Sequence, residues 1–431
     1  MPELIRSLGF WGAAGIGIGA IIGTGIFVLI GVSAGIAGPA VILSFIIAGV
    51  VALLTGLSTA ELSSFIHESG GSYIYTTKAF GEFPGFVVGW MKSFDYIVGA
   101  SAVSVGVAAY FAYFVGIPPA GATLVAVATV WPLLLMLLNV RGIREASWTN
   151  NLLVALKILA LVVFILVGAG ALLSNGNYAN YHPFFPTGFT GVMSGAAIIF
   201  FAFIGFNTIA IMAEEVKDPA RNVPRAILFA FAVCTLIYIG VSVVAVGIVN
   251  WKLLSSSGAP LEFALKSVSD NFFILEFVAV SALFATTSVI MASILGGSRA
   301  LFAMARQGVI PRVLSTISRR NVPVYTVVLC GVVISGIVVA TGGNLDWLAS
   351  LFNFGTLLTF FFINLSLIRL RYTLPDANRS FRVPFYPATP ILAMMSCIVL
   401  AFYLNTNAIL TACLFLAVGI VVYSLTRRAN H

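Results

Sequence analysis

Two features of this sequence could do chemistry: a lysine in the middle of an apolar run, and a string of glycines near the N-terminus. Lys157 stands in Asn151-Leu152-Leu153-Val154-Ala155-Leu156-Lys157-Ile158-Leu159-Ala160, too deep in that run for its amine to reach water comfortably. Burial favours the neutral amine and a neighbouring carboxylate favours the ammonium, the balance that a proton carrier needs. Asp95, in Phe94-Asp95-Tyr96-Ile97, is a second ionisable residue inside an apolar stretch. Each has two readings, a functional charge or a structural ion pair, and Lys92 and Lys78 lie near the same end as Asp95.

The glycine string reads Gly15-Ile16-Gly17-Ile18-Gly19-Ala20-Ile21-Ile22-Gly23-Thr24-Gly25-Ile26-Phe27. A continuous helix carries that density only at a cost in backbone entropy. A dinucleotide loop needs a preceding strand and a following acidic residue, and neither is present. Gly15, Gly19 and Gly23 have the small-xxx-small spacing of close helix packing. Alternatively the helix unwinds at Gly23-Thr24-Gly25, and its freed N–H groups bind an anionic group such as a carboxylate. The last two readings are compatible and both stay open. Phe200-Phe201-Ala202-Phe203-Ile204-Gly205-Phe206-Asn207-Thr208 is a possible counterpart, with a glycine and a polar pair inside an apolar run.

The elements that must position these residues are membrane helices. Hydrophobic residues make up 60% of the 431, charged residues 8%, and the mean hydropathy is +1.08, against roughly 25% charged residues in a soluble domain. Apolar runs without dyad alternation exclude a transmembrane barrel. Helices are expected at about 10–35, 40–66, 84–114, 122–140, 147–173, 191–213, 224–249, 272–304, 322–342, 347–369, 384–404 and 407–426, about twelve in all. A break in span one matched by a break in span six would suit an inverted repeat of five plus five helices, with spans eleven and twelve outside it.

The net charge of +8 raises the question of nucleic acid, and the placement of the basic residues answers it. Of the 22 Lys and Arg residues, all but Lys157, Lys252 and Lys266 fall at one set of loops and ends. By the positive-inside rule both termini are cytoplasmic and the 174–190 loop faces outward. Glu61 and His67 are expected as solvated heads at the cytoplasmic end of span two, and Glu276 as an interfacial residue. His182 in the outer loop and the terminal His431 make no metal cluster. Four single cysteines, Cys234, Cys330, Cys397 and Cys413, read as small core residues. No nucleophile–base constellation appears, which argues against an enzyme.

The segments resemble the amino acid–polyamine–organocation transporter superfamily over nearly the whole chain, closest to the cationic amino acid transporter branch and its prokaryotic relatives. The resemblance rests on Gly19 to Phe27, Ala37-Gly38-Pro39-Ala40, Gly70-Gly71-Ser72-Tyr73, Phe203-Ile204-Gly205-Phe206, Glu214-Glu215-Val216-Lys217-Asp218-Pro219, Asn222-Val223-Pro224-Arg225 and Phe381-Arg382-Val383-Pro384. It implies an all-α integral membrane protein of the LeuT-like five-plus-five type, one transporter domain working by alternating access. Repeat one would cover about 10–173, repeat two about 191–369 and the extra helices about 384–426. The resemblance also implies that Gly23, Thr24 and Gly25 hold the substrate carboxylate, that carbonyls of Ala20, Ile21, Phe201 and Ile204 hold the α-amine, and that Phe201 gates the site. Lys157 matches the lysine that stands in for a sodium ion in proton-coupled relatives. Asp95 would pair with Lys157 or contact a basic substrate. Asn207 stands where many relatives of that branch carry an acid.

The expected function is proton-coupled amino acid symport in the plasma membrane, with no cofactor beyond the proton; the expected partners are the amino acid substrate and the lipid bilayer, with no nucleic acid, and an accessory subunit stays open. An exchanger in which Lys157 is structural is the first alternative, and a non-cycling nutrient sensor the second.

Overall fold

The computed structural model describes residues 8–68, 70–117, 121–141, 147–176, 178–306, 308–318 and 322–429. Arg6, Arg144, Arg319, Arg320 and His431 lie outside them. The first expected span consists of three pieces, α1 (Phe10–Ile21), α2 (Thr24–Phe27) and α3 (Leu29–Ala37). A 3-10 turn over Gly38–Ala40 reverses the chain into α4 (Val41–Phe65). Gly38 has φ +66°, and a side chain there would also strike Pro186, so the turn requires glycine.

A short helix α5 (Ser72–Phe80) leads into α6 (Glu82–Val115), followed by α7 (Gly121–Val140) and α8 (Ser147–Asn175). The sixth span is α9 (Gly188–Ile199), a 3-10 stretch Phe200–Phe206 and α10 (Asn207–Ile211), and α11 (Pro219–Ile248) comes next. Two small helices, α12 (Trp251–Ser256) and α13 (Pro260–Lys266), precede α14 (Phe272–Arg306), α15 (Val324–Thr341), α16 (Leu345–Thr373), α17 (Ala388–Ala401) and α18 (Thr406–Ala429).

Among the described residues, ten helical stretches are long and apolar enough to cross a membrane, and Phe10–Ile21 and Ala388–Ala401 are shorter apolar helices. One of the ten, Leu29–Phe65, joins the end of the first expected span to the second. Each of the twelve expected spans therefore has its helix. The fold is all-α, and among the described residues one β-bridge pairs Leu8 with Val216.

Burial sorts the helices into an inner set and a lipid-facing set. α6 is buried over most of its length and packs against α14 and α16. α7 and α18 instead expose Leu134, Leu137, Leu410 and Leu414, which suits hydrocarbon as solvent. Serine and glycine make the inner contacts close: the Ser33 hydroxyl donates to the Gly195 carbonyl at 3.0 Å and that of Ser44 to Val192 at 2.8 Å. These bonds draw α3 and α4 onto α9.

Glu61 corrects the expectation of a solvated head. Its side chain is fully buried. Arg371 of α16 holds it with Nε donating to Oε1 at 2.7 Å and Nη2 to Oε2, the Val383 N–H donates to Oε2 at 2.6 Å, and Arg379 lies 3.4 Å away. The Arg379 guanidinium also donates to the Leu370 and Leu374 carbonyls. One carboxylate thus ties the end of α4 to the end of α16 and the segment before α17. His67 is half-buried, near the Ser64 carbonyl at 3.2 Å.

Removing one member of a buried ion pair strands the other, at a cost of about 3–5 kcal/mol. Glu61→Ala should therefore lower the thermal midpoint of the detergent-purified protein by several degrees, read by tryptophan fluorescence. An unchanged midpoint would mean that this carboxylate holds nothing together.

Candidate functional site

The first span breaks where glycine density predicts, one residue early. α1 ends at Ile21, Ile22 is extended (φ −75°, ψ 103°) and Gly23 is non-helical (φ −156°, ψ −147°). Thr24 and Gly25, expected to be unwound, form the first turn of α2. No backbone acceptor stands opposite the N–H groups of Gly23, Thr24 and Gly25 among the described residues. The Thr24 hydroxyl is buried and has no partner. Four donors therefore gather at one unwound turn.

The carbonyls on the other side of the break are mostly engaged. Ile18 accepts from the Ile22 N–H at 2.9 Å, Gly19 from the Lys157 ammonium at 3.2 Å, and Ile21 from the Tyr238 hydroxyl at 2.8 Å. Beyond the break, the Phe27 carbonyl accepts from the Tyr110 hydroxyl at 2.7 Å. A carbonyl has two lone pairs, so these bonds position the turn without exhausting it.

Span six does not unwind as a single turn. It tightens into the 3-10 stretch Phe200–Phe206 and then continues as α10. The Asn353 amide, on α16, donates to the Ala197 and Ile198 carbonyls at 2.6 and 3.0 Å, satisfying groups that a change of helix type leaves short of donors. Tyr238 also lies 3.2 Å from the Ala202 carbonyl, so one hydroxyl spans both irregular segments.

Glycine lets these segments touch backbone to backbone. A side chain on Gly25 would collide with the backbone of Ala202, and one on Gly205 with the peptide joining Ala20 and Ile21. Close packing and helix breakage, left open from the sequence, both hold. Phe201 is half-buried with its ring centroid 4.3 Å from that of Phe352. Ile204 is buried, and the buried Asn207 has its amide nitrogen unpartnered.

Lys157 is buried beside this break. Its ammonium also donates to the Ser288 hydroxyl of α14 at 3.1 Å, and that hydroxyl in turn donates to the Ala285 carbonyl. The lysine therefore joins α8, α14 and the last turn of α1. Asp95 belongs to a different cluster: it is buried, 3.7 Å from Lys92, and accepts from the Thr356 hydroxyl at 3.0 Å. Its pairing with Lys157 is not found, because Asp95 sits on the α16 side of α6, against Gly355.

Tyr238, Tyr110, Asn353 and Ser288 went unrecognised in the sequence. The available signal was general: a phenol or amide in an apolar span must find a partner. It does not say which carbonyl. Leu8, Ala13, Ile16, Ile209, Met212 and Val216 line a shallow recess that encloses no room for a water molecule. It sits between the first and sixth spans on the N-terminal side of the break, away from the free donors.

Comparison with known proteins gives the family. The amino acid permease family model matches residues 8–425. The chain is 35% identical to the branched-chain amino acid permease BcaP of Bacillus subtilis over 99% of its own length and 94% of that protein. It is 37% identical to the methylthioribose transporter of the same organism, over 99% of this chain and 95% of that one. It is 33% identical to the vacuolar cationic amino acid transporter 2 of Arabidopsis thaliana, over 87% of this chain and 61% of that protein. A broken helix with free donors, a buried lysine at its edge and this breadth of similarity lead to one conclusion: the chain belongs to the amino acid permease family of the amino acid–polyamine–organocation superfamily and is a multi-pass membrane transporter.

Proposed function

We propose that this protein takes up neutral amino acids with apolar side chains by proton symport. The reading has it cycle by alternating access in a LeuT-like five-plus-five arrangement, in the cell membrane with both termini cytoplasmic. The observation that carries it is the first-span break, where unpaired donors at the start of α2 face the end of α1 that Lys157 holds. A substrate carboxylate at the N–H groups of Gly23, Thr24 and Gly25 and the Thr24 hydroxyl would satisfy four groups at once. The α-amine would take the carbonyls of Ala20, Ile21, Phe201 and Ile204 as acceptors, with Phe201 closing over the substrate.

Three features favour a neutral, apolar side chain. Asn207 is uncharged, Phe201, Ile204 and Phe352 offer hydrocarbon, and the Asp95 carboxylate already meets a cation, Lys92, and Thr356 through its Oδ2. The BcaP relative, named for branched-chain amino acids, fits the same preference.

Proton coupling follows from what Lys157 touches. A charged donor makes a stronger hydrogen bond than a neutral one, so a protonated Lys157 holds the Gly19 carbonyl and the end of α1 in place. Loss of the proton weakens that hold and frees the half-helix to move. The exchanger reading draws on the same contact, with Lys157 as a permanent tie, and counterflow without a pH gradient separates the two.

In proteoliposomes, an inward proton gradient should drive accumulation of leucine, isoleucine or valine in the wild type and fail to do so in Lys157→Ala. Accumulation by Lys157→Ala with an unchanged pH dependence would rule out the proton role. Thr24→Val removes one donor and should raise KM by roughly tenfold, about 1.4 kcal/mol, with a smaller change in kcat. Arginine should compete weakly with labelled leucine and gain ground in Asn207→Asp. Equal competition by arginine in the wild type would overturn the neutral preference.

A further inference from the structure

Glu262 is a buried carboxylate at the end of the molecule opposite the Glu61 network. It lies on α13, is fully buried, and neither carboxylate oxygen has a hydrogen-bond partner. An ionised carboxylate without partners does not persist in such a place. α12 and α13 form a lid seated on α3: a side chain on Gly31 would press on the Leu254 carbonyl and Pro260, and one on Gly35 on Ser255. Leu254 is buried in α12, which packs on α3, and Leu261, Ala264 and Leu265 are buried in α13, which packs on α8, α11, α12 and α14.

The groups facing Glu262 are few. From α6 come Tyr110 and Tyr113; the Tyr113 hydroxyl approaches without a well-aligned hydrogen bond, and Tyr110 is occupied with the Phe27 carbonyl. α14 brings Glu276, a second negative charge, and α13 itself carries Lys266, which sits 5.9 Å from the Tyr113 ring. α12 brings Lys252, drawn to the Trp251 ring at 5.3 Å, while α8 and α11 carry no charged side chain at their adjoining ends.

We infer that Glu262 is a proton-binding site under the outer lid, distinct from Lys157, which must be protonated for the lid to close over the first span. Tyr110 links it to the break: the same side chain faces Glu262 and holds the Phe27 carbonyl at the end of α2. Burial chiefly, with Glu276 adding to it, pushes the Glu262 carboxyl up to about 7. A group raised in the closed state and ordinary in the open, hydrated state favours closure at low pH. That preference falls as pH rises from the ordinary carboxylate range to about 7, and then levels off.

The inference rests on the alternating-access reading, and a readout of the lid alone keeps the two separable. Ala259, buried at the start of α13, is replaced by cysteine in a Cys413→Ser background. Labelling by a membrane-impermeant maleimide is then followed in proteoliposomes at external pH 5 to 8, without substrate or gradient, after correction for the reagent's own pH dependence. The corrected rate should rise at least about tenfold across that range. Adding Glu262→Gln, which keeps the shape and needs no proton, should hold labelling slow and flat. Glu276→Gln should move the midpoint to lower pH. An unchanged pH profile in Glu262→Gln overturns the site, and closure driven by sodium at fixed pH would make it a cation site instead. Proton-driven uptake that fails while the labelling profile holds counts against the Lys157 reading and leaves Glu262 standing.

Discussion

A helix broken inside a bilayer leaves backbone groups that no water can satisfy, and the rest of this structure answers to that constraint. Each unsatisfied N–H or C=O in hydrocarbon costs several kcal/mol. The irregular segments of spans one and six are accordingly surrounded by polar side chains that have no other business in an apolar core. Tyr238 reaches Ile21 and Ala202, Tyr110 reaches Phe27, Asn353 reaches Ala197 and Ile198, and Lys157 reaches Gly19. These residues come from α11, α6, α16 and α8. The scaffold around the two broken spans thus consists of helices that each supply a donor to a carbonyl.

The same constraint explains where the glycines lie. Gly25 and Gly205 stand where one irregular backbone crosses another. A methyl group at either position would separate the segments and the hydroxyl of Tyr238 would no longer span them. Gly17 and Gly19 instead receive side chains, Ile209 and Val154, which seat α1 against α10 and α8 and carry the half-helix end to Lys157. Packing glycines and site glycines are interleaved along one helix because each turn of it faces a different neighbour.

Much of this was legible in the sequence, and what was missed has a physical reason. Composition and run length suffice for the twelve helices, since hydrocarbon imposes one secondary structure. Gly23 marked the break because a glycine beside a threonine cannot be mistaken for a lipid-facing face. Its edge fell at Ile22 rather than Gly25 because the termini of α1 and α2 are set by contacts with Tyr238 and Ala202, from distant parts of the chain. Span six tightens to 3-10 rather than unwinding, and a run of phenylalanines carries no sign of that. Glu61 was misread because solvation at a helix end depends on what covers it, and its cover comes from Arg371, Arg379 and Val383, more than 300 residues later in the chain. Position along the chain identifies a charge inside a span, as it did for Lys157 and Asp95, and it placed Lys92 one turn from Asp95 as an ion-pair partner, but it does not show partners from distant helices, Thr356 for Asp95 and Ser288 for Lys157.

Not every orphan group at the breaks is satisfied, and donors gather among the exceptions. The N–H groups of Gly23, Thr24 and Gly25 and the Thr24 hydroxyl stand together without acceptors, while neighbouring carbonyls are met by tyrosine and lysine. Leaving a buried donor unpaired costs about 1–3 kcal/mol, so four of them make the empty site expensive in a chain that could have filled the gap with one more side-chain oxygen. A transporter gains from that omission. In the proposed cycle, closure without cargo would let the protein return empty and uncouple its gradient, whereas a carboxylate arriving with the substrate would offset the cost and favour closure of the filled site. Under that proposal the unsatisfied donors of Gly23, Thr24 and Gly25 would be a physical basis for coupling, and three of the four belong to the backbone.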